Sequence, residues 1–312
     1  MKNLTRVVYM GTPDFALPPL EMLCKEGYAV PLAVTRPDQP RDRGKRVQSP
    51  PVKAWAEAQG IPVLQPESLR GNAEFAERLR AEKPDLIVVA AYGALLPEEI
   101  LNLPGLGCVN IHASLLPKYR GAAPIQRAVL DGGAETGVSL MRMAEKMDAG
   151  NVIAARKTPI GRKTTAELFG ELSQMGAALL RDKLPDIAAG APGAAQDEAQ
   201  ATYAPRIRKE EAHIDFSKSP EEIERLIRGM NAWPGAYALY KGSVLKIWEA
   251  VPSEEPCEKP AGTILAASGE GITVAAGGRA VRLTVIQAQG KKAMQAADFM
   301  RGNKLEIQAV LT

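Results

Sequence analysis

The chain has 312 residues, enough for two domains of ordinary size and for a large apolar core. Hydrophobic residues make up 46% of the chain and charged residues 24%, which excludes disordered, collagen-like and disulfide-stapled proteins. The 39 Lys and Arg residues against 36 Asp and Glu residues leave a net charge of +3. That excess is too small for a uniformly cationic coat protein, but it allows a local basic patch.

Cysteine and histidine are too scarce and too scattered for a disulfide framework or a metal site. There are three cysteines, in no C-x-x-C pair, and two histidines. A predicted strand begins near the N-terminus, which leaves no room for a signal peptide, and no apolar run approaches the ~20 residues that span a bilayer. We therefore expect a cytoplasmic protein without a bound metal, and a monomer by default.

The first half of the chain alternates strand and helix patterns. The apolar strands do not alternate with polar residues, as is typical of strands covered on both faces of a parallel sheet. This order predicts an open α/β sheet with right-handed crossovers. Strands are predicted over 4–10, 29–35, 61–64, 85–92, 107–113, 136–143 and 151–157, and helices over 13–26, 51–59, 73–81, 123–131 and 164–187.

The composition changes after the long helix. Residues 188–200 are small and polar, as in a linker. A helix is then predicted over 219–231, with Ser219 and Glu222 in the positions of a capping box. Short strands separated by glycine and proline follow, which favours a small β-barrel. They are predicted over 236–240, 243–251, 261–267, 271–276 and 279–286.

The turn after the first strand carries a single glycine, Gly11. A dinucleotide-binding turn is expected to read G-x-G-x-x-G, so NAD binding is disfavoured. Two interpretations stay open: Gly11 only makes the turn, or the turn belongs to the ligand-binding edge at the carboxyl ends of the strands.

Asn110 and His112 stand at alternate positions of one predicted strand, so their side chains project from the same face. A lone histidine in an apolar strand is more often a core residue than a catalytic one. Here an unusual loop, residues 114–121, follows the pair, and Asp148 lies between two later strands from which it can reach back. These three residues are the candidate catalytic set.

An Asn, a His and an Asp without a paired Ser or Cys nucleophile favour direct attack of an amine on a carbonyl. Asn110 would donate its amide N–H to the developing oxyanion. His112 would stabilise that charge as imidazolium or accept the proton of the amine, and Asp148 would hold the ring and favour its charged form.

The N-x-H strand, the SLLP-x-x-RG loop and the later D-x-G resemble the folate-dependent formyltransferase family. The specific motif is NIHASLLPKYRGAAPIQRA, and the resemblance extends over essentially the whole chain. Further segments that carry it are GTPDFA (11–16), SPPVKAWA (49–56), ETGVSLMRM (135–143) and IQAQGKKAMQAADFMRG (286–302).

The resemblance implies transfer of a formyl group from the co-substrate 10-formyltetrahydrofolate to the α-amino group of initiator methionyl-tRNA. It also implies a Rossmann-like, mostly parallel catalytic domain over 1–189, a linker over 190–206 and an OB-like, tRNA-binding β-barrel over 207–312. The family's catalytic positions fall on Asn110, His112 and Asp148. Its folate-binding positions fall on Tyr92, Gly93, Leu95, Leu96, Ser114, Leu115, Leu116 and Pro117.

Residues 36–53 contain six Lys and Arg residues against two acids and are predicted to form a long loop at the ligand edge. A basic loop can be mere solvated surface, but beside a catalytic edge it can also grip phosphates of tRNA. The resemblance gives this loop that role, with Arg43 as its key arginine. The predicted tRNA contacts are Arg41, Arg43, Lys45 and Arg46, together with Arg206, Arg208 and Lys209.

Three alternatives remain open from the sequence. A formyltransferase acting on a nucleotide-linked amine would share the three catalytic residues, and so would a formyltetrahydrofolate hydrolase, in which water replaces the amine. A nucleic-acid-binding module without catalysis would not need the Asn–His–Asp set.

Overall fold

The computed structural model describes residues 4–41, 46–303 and 305–312. They form two compact units. The first unit contains the residues up to Pro124, together with Glu135–Pro159 and Phe169–Pro205. The second contains Ile125–Ala134, Ile160–Leu168 and Arg206–Thr312. The segment predicted to be a linker, 190–206, therefore lies almost entirely within the first unit.

Eleven short strands belong to the first unit in the described part of the chain. They are β1 (Val7–Gly11), β2 (Ala33–Val34), β3 (Gln39–Arg41), β4 (Arg46–Gln48), β5 (Val63–Leu64), β6 (Leu86–Ala90), β7 (Cys108–His112), β8 (Arg120–Gly121), β9 (Glu135–Arg142), β10 (Val152–Pro159) and β11 (Tyr203–Ala204). The helices along the chain are α1 (Leu17–Lys25), α2 (Pro51–Ala58), α3 (Ala73–Ala81), α4 (Glu98–Leu101), α5 (Pro124–Leu130), α6 (Thr165–Ala188), α7 (Pro220–Gly229) and α8 (Ala296–Gly302).

The main sheet of the first unit has seven strands in the order β10-β9-β7-β6-β1-β2-β5. The five strands from β7 to β5 are parallel, whereas β9 and β10 join antiparallel. Every residue of β1 and β6 is buried, which agrees with their unbroken apolar sequences. The predicted mostly parallel, Rossmann-like sheet is confirmed, and it brings the carboxyl ends of β6 and β7 side by side.

Helix α6 packs unusually close to β7 because a glycine faces the strand. A Cβ atom built on buried Gly176 would lie 2.7 Å from Cγ2 of Ile111, well inside van der Waals contact. Ile111 sits between Asn110 and His112, so this contact sets the position of the strand that carries both of them.

The second unit is built on an antiparallel sheet in the order β12-β13-β16-β15-β14, with β17 paired to β16. Residues 308–312 hydrogen-bond to β12 at one edge and to 262–264 beside β14 at the other, which joins the two edges. The predicted C-terminal β domain is confirmed, and its sheet is antiparallel, while its OB-like classification stays a prediction. The strands are β12 (Tyr237–Tyr240), β13 (Ser243–Ser253), β14 (Ile264–Ser268), β15 (Gly271–Ala276), β16 (Arg279–Ala288) and β17 (Met294–Gln295).

Helix α7 precedes this sheet, and its start agrees with the predicted capping box. The Ser219 hydroxyl accepts from the Glu222 N–H at 3.3 Å, and the Glu222 carboxylate accepts from the Ser219 N–H at 3.0 Å. Across the described ranges, no helix is both long and apolar enough to cross a membrane. The same ranges hold no group of three or more His, Cys, Asp or Glu side chains arranged to bind a metal ion.

Two glycines of α6 provide a matched test of its packing. We expect Gly176→Ala to destabilise the first unit by about 1–3 kcal/mol, because the added methyl group has no space against Ile111. Exposed Gly170 has open space at its Cβ position, so Gly170→Ala should stabilise the helix by up to about 1 kcal/mol. Calorimetric unfolding of both variants measures whether stability falls in the first and rises in the second. Equal changes in the unfolding temperature would contradict the close packing of α6 on β7.

Candidate active site

Asn110 and His112 lie on β7, between a parallel and an antiparallel neighbour. Asn110 is paired with Val89 of β6 and with Met141 of β9, and His112 with Ser139 of β9. The strand pairing therefore holds the backbone of Asn110 on both sides and that of His112 on the β9 side. Asn110 is half-buried, and His112 is 6% exposed, so the imidazole works in a largely desolvated setting.

The orientation of the His112 ring follows from its hydrogen bond. Nε2 lies 2.9 Å from the backbone oxygen of Tyr119. A carbonyl oxygen can only accept, so Nε2 must carry a hydrogen. The lone pair or the second proton of the ring is therefore at Nδ1, which lies 3.7 Å from Oδ1 of Asp148. Any proton transfer or charge stabilisation by His112 takes place at the Nδ1 edge.

Asp148 reaches the ring from a turn that folds back over the sheet. Its other carboxylate oxygen, Oδ2, accepts the backbone N–H of Gly121 at 2.8 Å. Its φ is +52°, in the left-handed region that Asp tolerates better than most residues. One carboxylate thus ties the loop after β7 to the turn after β9 and faces His112 with a negative charge.

The predicted SLLP segment is held to β9 by serine hydroxyls. Ser114 is fully buried, and its hydroxyl donates to the Lys118 oxygen at 2.6 Å. Ser139 donates to the Ser114 oxygen at 2.7 Å and accepts from the Leu116 N–H at 3.0 Å. Both hydroxyls form hydrogen bonds with the backbone of this loop, so the Ser114 side chain supports the segment from within. Leu115, Leu116 and Pro117 are half-buried at its surface.

The cysteine on β7 is not available as a nucleophile. Cys108 is 3% exposed, and its Sγ lies 3.6 Å from the backbone oxygen of Ile100. Burial raises the pKa of the Cys108 thiol to about 12, so the reactive thiolate is suppressed. This agrees with chemistry that forms no bond to the enzyme.

The remaining predicted folate positions follow β6 at the same edge of the sheet. Tyr92 and Leu96 are 2% and 4% exposed and belong to the apolar core below that edge. Gly93 is exposed, and Leu95 is 55% exposed. Burial raises the pKa of the Tyr92 phenol. Tyr92 and Leu96 therefore support the segment, and Gly93 and Leu95 form its accessible surface.

The basic segment 36–53 contains a hairpin where an irregular loop was predicted. Strands β3 and β4 pair antiparallel, and this pairing includes the backbones of Arg41 and Arg46. Arg43 and Lys45 lie outside the described residues. Lys53 is bound within the chain to Asp38 at 2.8 Å, and together with Gln65 it holds the pKa of the Asp38 carboxyl below its usual range.

Arg206, Arg208 and Lys209 are exposed and belong to the second unit. Arg208 lies 3.7 Å from Glu211, so part of its charge is balanced within the chain.

Sequence reasoning missed the backbone groups that complete the site. These are the Tyr119 carbonyl, which orients His112, and the Gly121 N–H, which binds Asp148. It also missed Gln196, whose side-chain amide donates to the Asp148 carbonyl at 2.8 Å. The small-residue composition around Gln196 indicated only a linker, and no local pattern marked the contact.

Two family models match this chain. One, described as formyl transferase, covers residues 5–178, and the other, its C-terminal domain, covers residues 206–304. A solved structure of HypX from Aquifex aeolicus in complex with tetrahydrofolic acid is similar in fold, with a TM-score of 0.64 at 18% identity. The match covers 98% of this chain but only about half, 51%, of the HypX chain.

Curated relatives match over nearly their full length. A methionyl-tRNA formyltransferase from Bacillus subtilis is 46% identical over 311 residues, covering 99% of this chain and 98% of the relative. Another, from Moorella thermoacetica, is 48% identical over 299 residues, covering 95% and 96%. The chain therefore belongs to the formyl transferase family.

Proposed function

We propose that the chain transfers the formyl group of 10-formyltetrahydrofolate to the α-amino group of initiator methionyl-tRNA. The observation that carries this proposal is the convergence of Asn110, His112 and Asp148 at one edge of the sheet, with the His112 ring held 3.7 Å from the Asp148 carboxylate. The relatives named methionyl-tRNA formyltransferase, which match along almost the whole chain, support the choice of acceptor.

The proposed reaction forms a bond between the amine nitrogen and the formyl carbon and breaks the bond from that carbon to the folate nitrogen. Asn110 donates an amide N–H to the formyl oxygen as its negative charge develops. One such donor is commonly worth on the order of 100- to 1,000-fold in rate. The attacking amine loses a proton, and the departing folate nitrogen gains one. The Nδ1 edge of His112 beside Asp148 is where the chain offers a group that takes the first proton and returns it to the leaving nitrogen.

The Asp148 carboxylate lies beside the Nδ1 edge of His112, where it stabilises the proton that the ring takes from the amine. The Nε2 hydrogen bond to Tyr119 keeps the ring from turning, so the Nδ1 edge stays directed toward Asp148. A hydrolase would use the same groups with water as acceptor. The basic hairpin and the second family domain favour the tRNA acceptor over water and over a nucleotide-linked amine.

The accessible surface after β6 has the chemistry that a flat heterocycle requires. Exposed Leu95 supplies an apolar contact, and exposed Gly93 has no side chain that would cover the backbone there. Met147, next to Asp148, is 51% exposed and adds a second apolar side chain on the loop 144–148. We assign the folate to this surface together with Leu115, Leu116 and Pro117, with Tyr92, Leu96 and Ser114 supporting it from below.

For the tRNA, we propose phosphate contacts from Arg41, Arg43, Lys45 and Arg46 at the hairpin and from Arg206, Arg208 and Lys209 in the C-terminal domain. The corresponding domain limits are 1–189 for catalysis and 207–312 for tRNA binding. Because the acceptor is a charged initiator tRNA, we place the reaction in the cytoplasm. The enzyme is proposed to act as a monomer.

Acceptor selectivity tests the function directly. We expect formyl transfer from 10-formyltetrahydrofolate to charged initiator tRNA, and little or none to uncharged tRNA, free methionine or an aminoacylated elongator tRNA. The assay follows labelled formyl groups in the tRNA fraction. Folate turnover without labelled tRNA would keep the chemistry but reject the acceptor.

The two histidines of the chain form a matched pair for mutagenesis. His112→Gln should lower kcat for transfer by at least about 100-fold, because the group at the Nδ1 edge is lost, while tRNA affinity stays near that of the wild type. His213→Gln is the control, since His213 packs against Tyr237 in the second unit. Full turnover by the His112 variant would remove this residue from the mechanism.

Arg43 is proposed to contact phosphate, so its effect should depend on salt. Arg43→Ala should weaken tRNA binding and reduce the slope of log K against log salt by about one, the value for one lost phosphate contact. Arg80→Ala on α3 removes the same charge from an exposed helix and serves as the control. An Arg43 variant with the wild-type slope would contradict the contact.

A further inference from the structure

The segment Ala194–Ala204, which we call the strap, runs between the two loops that form the catalytic site. At one end, the backbones of Ala194 and Val152 exchange two hydrogen bonds, both of 2.8 Å. At the other end, Tyr203 and Ala204 form β11, which pairs in parallel with Arg120 and Gly121 of β8. The strap thus contacts the chain just after the Asp148 turn and just after the Tyr119 carbonyl.

Gln196 is the third residue of the strap, and both the oxygen and the nitrogen of its side-chain amide form hydrogen bonds. Its Nε2 donates to the backbone oxygen of Asp148 at 2.8 Å and to that of Gly150 at 2.7 Å. Its Oε1 accepts from Nε and Nη2 of Arg120 at 3.1 and 2.9 Å. The Asp148 turn and the loop after β7 are therefore joined through a single side chain.

Arg120 is a rigid anchor for this contact. Its side chain is 2% exposed, and Glu198 of the strap binds it in bidentate fashion, with Nη1–Oε2 of 3.0 Å and Nη2–Oε1 of 2.7 Å. The hydrogen bonds that Arg120 donates to Glu198 raise the pKa of the Arg120 guanidinium and lower the pKa of the Glu198 carboxyl. Both groups are therefore charged at neutral pH, and Arg120 cannot leave without exposing unpaired donors.

The Asp148 turn has a backbone conformation that benefits from such a restraint. With φ at +52°, Asp148 lies in the left-handed region, which is uncommon for residues with a side chain although Asp tolerates it better than most. Gln196 binds the carbonyl of that residue, and the Asp148 carboxylate binds Gly121, next to Arg120. The strap thus fixes the backbone of Asp148, and the loop after β7 fixes its side chain.

We infer that Gln196 is a positioning residue for the proposed transfer reaction: it holds the Asp148 turn so that the carboxylate faces Nδ1 of His112. This inference rests on the proposed function and assigns a catalytic task to the segment whose composition indicates a linker. Gln196 does not touch the reacting atoms, and its effect passes through Asp148.

Two substitutions separate this role from simple support of Arg120. Gln196→Glu retains an oxygen for Arg120 but loses both N–H donors to the Asp148 turn, whereas Gln196→Ala loses both contacts. We expect both variants to lower kcat by about 10- to 100-fold with KM for folate and tRNA nearly unchanged, since a small misplacement of a catalytic group costs this much. Gln200→Ala, on the same strap but exposed, is the control and should be fully active.

The decisive comparison is a double-mutant cycle with Asp148→Asn. If Gln196 acts only through Asp148, the double variant Asp148→Asn/Gln196→Ala should be no slower than Asp148→Asn alone. Effects on kcat that multiply in the double variant would overturn the inference. So would wild-type kcat in Gln196→Glu, because that result would reduce Gln196 to a partner of Arg120.

A spectroscopic measurement without substrates keeps the inference separate from the proposed function. The chain has two histidines, so the ring ¹⁵N signals of His112 and His213 can be assigned by substitution. At one fixed pH, Gln196→Ala should move the His112 signals toward those of Asp148→Asn and leave His213 in place. Unmoved His112 signals would overturn the inference even if transfer is active. Moved signals in a protein whose wild type does not formylate tRNA would reject the proposed function alone.

Discussion

The site depends on the hydrogen bond from Nε2 of His112 to the Tyr119 carbonyl, 2.9 Å long, in a setting where the ring is 6% exposed. This bond decides which nitrogen carries the permanent hydrogen, and so directs the variable one toward Asp148. Without it, the ring has two orientations, and the carboxylate faces the wrong nitrogen in one of them. The loop that supplies the carbonyl is held by Ser139 and by the strap, so the tautomer of one side chain depends on a large part of the first unit.

Strand β7 carries Asn110 and His112, and its neighbours hold it in place by close packing and strand pairing. Close approach of α6 at Gly176 fixes the strand from one side, and β6 and β9 fix it at its edges. Cys108, at the opposite end of β7 from His112, is buried, and burial raises the pKa of its thiol, which therefore stays protonated. The same exclusion of water strengthens the interaction of His112 with Asp148.

Elements with strong local signals were predictable from the sequence. The helix predicted over 73–81 is observed as Ala73–Ala81, and the capping box at Ser219 forms as expected. The strand predicted over 29–35 shrinks to Ala33–Val34, because pairing with β1 and β5 decides its length and periodicity cannot show that. Alternation along β7 placed Asn110 and His112 on one face. Contacts between residues far apart in the sequence could not be predicted from local sequence patterns. Gln196 lies 48 residues from Asp148, and its neighbours are small residues typical of linkers.

In the proposed reaction, the formyl group passes directly to the amine without forming a bond to the enzyme. The most direct test is to mix the protein with 10-formyltetrahydrofolate labelled in the formyl group, with and without charged initiator tRNA, and to measure label on the protein and on the tRNA. Direct transfer predicts label on the tRNA only, none on the protein in either mixture, and initial rates that require both substrates to be bound together. Formyl groups attached to the protein when the acceptor is omitted, and released to tRNA when it is added, would contradict it.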